Sequence, residues 1–186
     1  MFEPHCSLIS PCDEPIGATY AIPDGTLGNY IDDIRVVFVN GGRSDHDWTG
    51  SFKIQGISTK AVSASHRFSG SETSLVVADG MIYIGNNGDP ASWAEHDSLT
   101  PIIGMCVHPV SGCVIVHDFT RVAAFGPDGE IWKSDRVSWD GIQKIECMRE
   151  EIRGVGWDAP ANCEVNFRLD ADDGTPIHNP VTPATS

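Results

Sequence analysis

Two cysteines and two histidines lie close together in the chain, namely Cys106, His108, Cys113 and His117. Thiolate sulfur and imidazole nitrogen are ligands that zinc prefers in proteins. One hypothesis is therefore a zinc site at these four residues, which would make the chain a metal-dependent enzyme or a metal-stabilised domain. Zinc is the one cofactor that the sequence suggests, and otherwise no cofactor is expected.

The sequence between these residues, Pro109-Val110-Ser111-Gly112, predicts a four-residue hairpin loop between strands at 102–108 and 113–118. In such a hairpin, position 108 lies opposite 113, position 106 opposite 115 and position 104 opposite 117. The four side chains then share one face, because side chains alternate between the two faces of a strand. The same alternation separates His117 from Asp118, so Asp118 is expected to cap the next turn.

Packing is the alternative role for this face of the hairpin. Ligands on a flat ladder rarely converge into a tetrahedron, and zinc motifs usually carry them on tight turns. We therefore favour a semi-buried face under another strand or under the N-terminal segment, with a nucleophilic cysteine as a third hypothesis. The chain also lacks the G-x-S-x-G, H-E-x-x-H, P-loop and G-x-G-x-x-G motifs. No catalytic residue is predicted, which favours a protein that is not an enzyme.

Four tryptophans are candidates for contact with a ligand or a partner. Trp48 and Trp93 lie in polar stretches and are expected to be exposed, and exposed tryptophans are common at the centres of binding surfaces. Trp132 and Trp139 flank a turn-rich segment and could line a groove for a sugar ring or a peptide. Packing into the core is the commoner fate of tryptophan. A carbohydrate- or small-ligand-binding module is one alternative function on these grounds.

Short strands separated by turns predict an all-β fold of antiparallel hairpins and meanders, arranged as a sandwich or as propeller-like sheets. The Asp79-Gly80 pair predicts a two-residue type I′ hairpin, and Asp89-Pro90 predicts the start of one short helix. Residues 143–152 fit either a strand or an amphipathic helix. The predicted organisation is an irregular N-terminal arm at 1–33, a single all-β domain at 34–175 and a flexible C-terminal tail at 176–186.

The sequence RVAAFGPDGEIWKS, from Arg121 to Ser134, resembles the inner hairpin of one blade in quinoprotein-type β-propellers. Those blades pair a small apolar strand with a strand that carries tryptophan after an Asp-Gly or Thr-Gly turn. LVVADGMIYIG, from Leu75 to Gly85, is a shorter version without the tryptophan. The resemblance covers one hairpin and implies a hairpin type. It implies no cofactor and no catalytic residue.

Charge gives the main functional indication. The chain carries 26 acidic and 12 basic residues, a net charge of −14. Such a surface disfavours nucleic acid and suits a basic protein partner. The sequence has no apolar run long enough to span a membrane and no recognisable secretory signal, so we expect a cytoplasmic protein that does not bind membranes.

The six cysteines form no C-x-x-C pair and are expected to be reduced core residues. Sheet edges could support an oligomer. The first functional hypothesis is a non-catalytic, acidic all-β domain that docks a macromolecular partner. An immunity-type protein that neutralises a basic toxin would be one version of it.

Overall fold

The computed structural model describes residues 5–10, 13–40, 46–179 and 181, and its fold is all-β, as the sequence predicts. The chain divides into two compact units, unit 1 (Met1–Ser98) and unit 2 (Leu99–Ser186). Among the described residues no helix is long and apolar enough to cross a membrane.

The strands of unit 1 are β1 His5–Ile9, β2 Ala18–Ile22, β3 Thr26–Leu27, β4 Asp33–Val39, β5 Trp48–Lys53, β6 Ala64–Arg67, β7 Thr73–Ala78, β8 Met81–Asn86 and β9 Ala94–His96. Those of unit 2 are β10 Gly104–Val107, β11 Val114–His117, β12 Val122–Gly126, β13 Gly129–Lys133, β14 Lys144–Cys147, β15 Glu151–Asp158, β16 Cys163–Asp170 and β17 Pro176–His178.

Unit 1 contains a five-stranded sheet in the order β1-β4-β5-β2-β3 and a four-stranded sheet in the order β6-β7-β8-β9. All pairs are antiparallel except β2 with β5. A buried cluster rich in aromatic residues forms the core; it comprises Ile22, Val36, Phe38, Trp48, Phe52, Val76, Ala78, Met81, Tyr83 and Trp93. Apolar side chains on alternate positions of the central strands supply this core, as their period of two requires.

The predicted type I′ hairpin joins β7 to β8. Ala78 pairs with Met81, so the loop has two residues, and both Asp79 (φ 47°) and Gly80 (φ 82°) adopt the left-handed conformation that this turn requires. The predicted short helix is a single 3₁₀ turn at Pro90–Ser92, whose N-cap Asp89 accepts a hydrogen bond from the Ala91 N–H. Both turn predictions are confirmed.

Unit 2 contains two four-stranded antiparallel meanders, β10-β11-β12-β13 and β14-β15-β16-β17. Their apolar faces share a core that comprises Cys113, Ile115, Val122, Ala124, Trp132, Val137, Ile142, Ile152, Phe167, Leu169 and Ala171. Residues 144–147 are a strand, which resolves the alternative between strand and helix at 143–152 in favour of strand. The segment 121–134 forms the β12–β13 hairpin, whereas the resemblance to a propeller blade stays a prediction.

Secondary structure differs from the prediction at both ends of the chain. The described part of residues 1–33 supplies β1, β2 and β3 instead of an irregular arm. β1 pairs with β4 and β2 with β5, both far along the chain, and β3 pairs with β2. At the other end, Pro176–His178 pairs with β16. The remainder of the predicted tail, residue 180 and residues 182–186, lies outside the described residues.

Candidate functional site

The hairpin that carries the Cys/His group has the predicted register. Gly104 pairs with His117 and Cys106 with Ile115, and the His108 N–H donates to the Cys113 carbonyl at 2.8 Å. The face that carries the cysteines packs into the core of unit 2, where Cys113 and Ile115 are buried and Cys106 is half-buried. Packing under another strand, the favoured interpretation, is therefore what this face does.

The four residues of the zinc hypothesis are not arranged as a zinc site. Cys106 forms a disulfide with Cys147 of β14, which leaves no thiolate at either sulfur. His117 directs Nδ1 to the Asp118 carbonyl, and burial lowers its pKa. The described residues contain no group of three or more Cys, His, Asp or Glu side chains placed to hold a metal ion. The expectation of reduced core cysteines is wrong for Cys106 and Cys147, and Cys163 is an exposed thiol.

Asp118 has the predicted capping role. Its Oδ1 accepts hydrogen bonds from the Thr120 N–H at 2.6 Å and from the Arg121 N–H at 2.7 Å. This carboxylate is therefore committed to the turn between β11 and β12, as the alternation of side chains along the strand predicts.

Three of the four candidate tryptophans lie in the cores of their units. Trp48 is 4% exposed, Trp93 is 3% exposed and Trp132 is 8% exposed. The predicted exposure of Trp48 and Trp93 is wrong, because Trp48 begins β5 and stacks on Phe38 with ring centroids 4.2 Å apart. Each indole N–H donates to a backbone carbonyl, so core packing also satisfies the polar group.

Trp139 differs from the other three because it is half-buried. The guanidinium of Arg136 lies over its ring, 4.9 Å from the centroid. A cation above the ring covers one of its faces, so that face of the indole is not open for stacking against a sugar.

Apolar side chains are conspicuously exposed in unit 1, at β3 and in the segment that joins β3 to β4. We call residues 24–32, DGTLGNYID, the acidic tip. Ile31 is 100% exposed and Leu27 is 74% exposed, the two highest values among the large apolar side chains of the described residues. Asp24 and Asp32 flank them in the sequence, and the segment contains no lysine or arginine.

Backbone turns build the acidic tip. Leu27 pairs with Tyr20 across the short β2–β3 hairpin, and the Gly28 N–H then donates to the Thr19 carbonyl at 3.0 Å. Gly28 adopts φ 139°, a conformation that L side chains rarely occupy, and its position lets the chain turn away from the sheet. These contacts place Leu27 on an edge strand and Ile31 in the loop that follows.

Tyr30 anchors the acidic tip to the sheet. Its backbone N–H donates to Ser51 Oγ at 2.9 Å, and its hydroxyl donates to Asp24 Oδ2 at 2.8 Å. Partial burial, together with the hydrogen bond and the charge of Asp24, raises the pKa of Tyr30 to about 12. Asp33 accepts from Ser51 Oγ and pairs with Arg35, so the arginine nearest in sequence is held by a carboxylate at the base of the loop. The acidic tip is thus tied at its base while its apolar side chains face solvent.

Sequence reasoning missed Leu27, Tyr30 and Ile31. They lie among glycine, asparagine and aspartate with no strand or helix period, so the pattern predicted only an irregular arm. A signal was nevertheless present, because two large aliphatic residues inside a turn-forming segment have no alternating neighbours with which to enter a core.

Unit 2 has its own charged group, on the outer face of the β14–β17 meander. Glu151 lies between Arg153 and Arg168 and forms an ion pair with each. Hydrogen bonds from Arg168 and then from Arg153 lower the pKa of Glu151. Because the carboxylate binds both guanidinium groups, this pair of arginines is already occupied within the chain.

Comparison with known proteins adds no relationship. The chain matches no protein-family model, and no curated protein matches its sequence significantly.

Proposed function

We propose that this chain is a non-catalytic binding protein that docks a basic protein partner through the acidic tip of unit 1. The observation that carries the proposal is the combination of Ile31 and Leu27, both solvent-exposed, with Asp24 and Asp32 in a segment without a cation. An apolar centre beside fixed charge is the composition of a protein–protein contact, in which aliphatic anchors supply affinity and charge selects the partner.

The charge of unit 1 supports a basic partner. Residues 1–98 contain thirteen acidic and five basic side chains, a net charge of −8. Exposed carboxylates such as Asp13, Glu14 and Asp97 extend the negative field beyond the acidic tip. A field of one sign accelerates encounter with a partner of the opposite sign and repels partners of the same sign. An immunity-type protein that neutralises a basic toxin is one version of this function.

A bait experiment with matched variants tests the proposal. The wild-type chain and the Leu27→Ser/Ile31→Ser double variant are used to capture proteins from an extract of the cells that encode the chain. Each protein captured only by the wild type is purified and titrated against both baits. Both substitutions are at exposed positions and should leave the fold intact, and Val110→Ser, at a position that is 63% exposed in unit 2, is the control.

The proposal expects a basic protein whose affinity falls about 30-fold in the double variant, the effect of losing about 2 kcal/mol in total from the two aliphatic anchors. Its affinity should also fall at least about tenfold between about 50 mM and about 500 mM salt, because the Debye length shortens across that range. Val110→Ser should bind as the wild type does. A partner that is acidic, insensitive to salt or equally bound by the double variant would refute the proposal.

A further inference from the structure

An open cavity of about 310 Å³ lies on unit 1, close to the acidic tip. Ala18 and Tyr20 of β2 form one wall, residues 46–48 form the second, and Gly88 and Pro90 form the third. Within the part of the chain that the structure describes, this lining contains no lysine or arginine. The cavity therefore offers no cation of its own to a ligand.

The cavity borders the acidic tip. Tyr20, on the cavity wall, pairs directly with Leu27 across the β2–β3 hairpin. Gly25 lies against Ala91, the residue after Pro90, since a Cβ atom added at position 25 would be 2.8 Å from Cα of Ala91. Because neighbouring strands are only about 4.8 Å apart, a partner that covers Leu27 also reaches the cavity.

Hydrogen bonds hold the walls of the cavity together. The side-chain amide of Asn40 donates to the His46 carbonyl at 2.9 Å and to the Asn87 carbonyl at 3.0 Å. The indole N–H of Trp48 donates to the same Asn87 carbonyl at 2.6 Å. These bonds connect the segment before β5 to the turn after β8. The cavity is thus formed before any ligand arrives, which lowers the entropy cost of binding.

Asp47 supplies a negative charge to the cavity. This residue is half-buried, and its Oδ1 accepts a hydrogen bond from the Asn40 backbone N–H at 2.8 Å. That bond fixes the orientation of the carboxylate. Among the described residues no donor lies within hydrogen-bonding distance of Oδ2. A cationic donor from outside the chain can therefore bind to this oxygen.

Tyr20 supplies an aromatic surface beside this carboxylate. Its ring is perpendicular to that of Trp48, with an interplanar angle of 87° and centroids 5.7 Å apart. Trp48 is 4% exposed, whereas Tyr20 is half-buried, so the tyrosine ring is the aromatic group that a ligand would meet. An aromatic ring next to a carboxylate attracts a cation through both the ring quadrupole and the charge.

We propose that this cavity binds an arginine side chain of the basic partner. The guanidinium lies against the ring of Tyr20 and donates a hydrogen bond to Oδ2 of Asp47. Arginine fits this pair of groups better than lysine, because its planar guanidinium stacks on aromatic rings while its N–H groups bind carboxylates. The identity of the partner rests on the proposed function, but the preference of the cavity for a guanidinium can be measured without the partner.

A titration of the full-length chain with N-acetyl-L-arginine amide tests the site. The chain is labelled with ¹⁵N, and the signals of the Trp48 indole N–H and of backbone amides 17–20 and 46–48 are followed by NMR spectroscopy. N-acetyl-L-citrulline amide, which has nearly the same shape and no charge, is the control ligand. N-acetyl-L-lysine amide compares an ammonium with the guanidinium. Sodium chloride keeps the ionic strength constant in every titration.

The expected result is a saturable shift of the cavity signals with a millimolar Kd for the arginine compound. The citrulline and lysine compounds should bind at least about tenfold and about threefold more weakly, because the first has no charge and the second cannot stack. Asp47→Asn should weaken arginine binding at least about tenfold, the effect of losing one charge-assisted hydrogen bond. An asparagine Oδ1 can still accept from the Asn40 N–H, so the wall should stay intact.

Two further variants make the test specific. Tyr20→Leu keeps an apolar side chain but removes the ring, and should weaken arginine binding about threefold. Asp97→Asn removes an exposed carboxylate of unit 1 that does not line the cavity, and should bind arginine as the wild type does. The circular dichroism spectrum of each variant establishes that it is folded before affinities are compared.

Three results would overturn the proposal. They are the absence of a saturable shift at the cavity, equal binding of the citrulline compound, and unchanged arginine binding in Asp47→Asn. Each leaves the docking role of Leu27 and Ile31 untouched, because that role is measured with the partner. Conversely, if the arginine compound binds while Leu27→Ser/Ile31→Ser retains full affinity for the partner, the docking proposal fails and the arginine site stands.

Discussion

Substitution of Gly154 by alanine should destabilise unit 2 through one contact. Gly154 lies on β15 directly opposite Phe167 of β16, and the phenyl ring covers the glycine. A Cβ atom at position 154 would lie 2.1 Å from Cζ of Phe167 and 2.5 Å from its Cε1. To restore an ordinary contact of about 3.4 Å, the ring must move by about 1.3 Å. Phe167 is fully buried in the core, so its ring can move only if the closely packed side chains around it also move.

The expected cost of Gly154→Ala is about 2–3 kcal/mol in the free energy of unfolding, the upper part of the range for overpacked cores. Chemical denaturation followed by circular dichroism measures it, with the m-value checked for constancy. In a Phe167→Leu background, where the clashing ring atoms are absent, the same substitution should cost less than about 1 kcal/mol. The two sites should thus show a coupling of at least about 1 kcal/mol, as expected of residues in contact.

Gly88→Ala is the matched control, because an added Cβ there meets only the Asn86 side chain, at 3.3 Å on an exposed turn. It should change stability by less than about 0.5 kcal/mol. A clash with Phe167 is refuted if Gly154→Ala costs no more than this control, or if its cost is the same in the wild-type and Phe167→Leu backgrounds.

Three further predictions concern single groups. Trp48→Phe removes a buried N–H that donates to the Asn87 carbonyl and should destabilise unit 1 by about 1–2 kcal/mol in urea denaturation. The folded-state pKa of Glu151 is lowered below 4.5, chiefly by Arg168. Its contribution to stability is therefore present above pH 4.5 and is lost as the pH falls through the folded pKa. Glu151→Gln should flatten the acid limb of a profile of unfolding free energy against pH. The folded-state pKa of Tyr30 is raised from 10.0 to about 12, so its contribution is present below pH 10 and lost as the pH rises through 12; in Tyr30→Phe, ultraviolet titration should lack one tyrosinate transition near pH 12.

The sequence predicted the turns and the hairpin register, which depend only on a few neighbouring residues. The Asp79-Gly80 hairpin, the Asp89 cap and the register of the Cys106–His117 hairpin depend on turn chemistry and side-chain alternation, which operate over a few residues. The N-terminal strands did not follow from such rules. Ala18–Ile22 is a strand because it pairs with Trp48–Lys53 in parallel, a partnership between distant segments that no local pattern encodes.

For the candidate sites too, the sequence predicted local arrangements but not contacts between distant segments. Alternation placed Cys106 and Cys113 on one face, but the partner of Cys106 is Cys147, and only the packing of two meanders brings these two residues together. The polar residues around Trp48 suggested exposure, whereas pairing of β5 with β4 carries that side chain into the core. In both cases the local sequence did not determine the outcome, because the disulfide partner of Cys106 and the burial of Trp48 depend on what the rest of the chain packs against each residue.

Hydrogen exchange of the complex tests the central claim most directly, namely that the acidic tip is the docking surface. The chain is labelled with deuterium alone and with the basic partner identified by differential capture, at low salt. Binding through the acidic tip predicts that amide protection rises across residues 24–32 and that this gain is lost in Ile31→Ser. Protection elsewhere in the chain, with residues 24–32 unchanged on binding, would contradict the account.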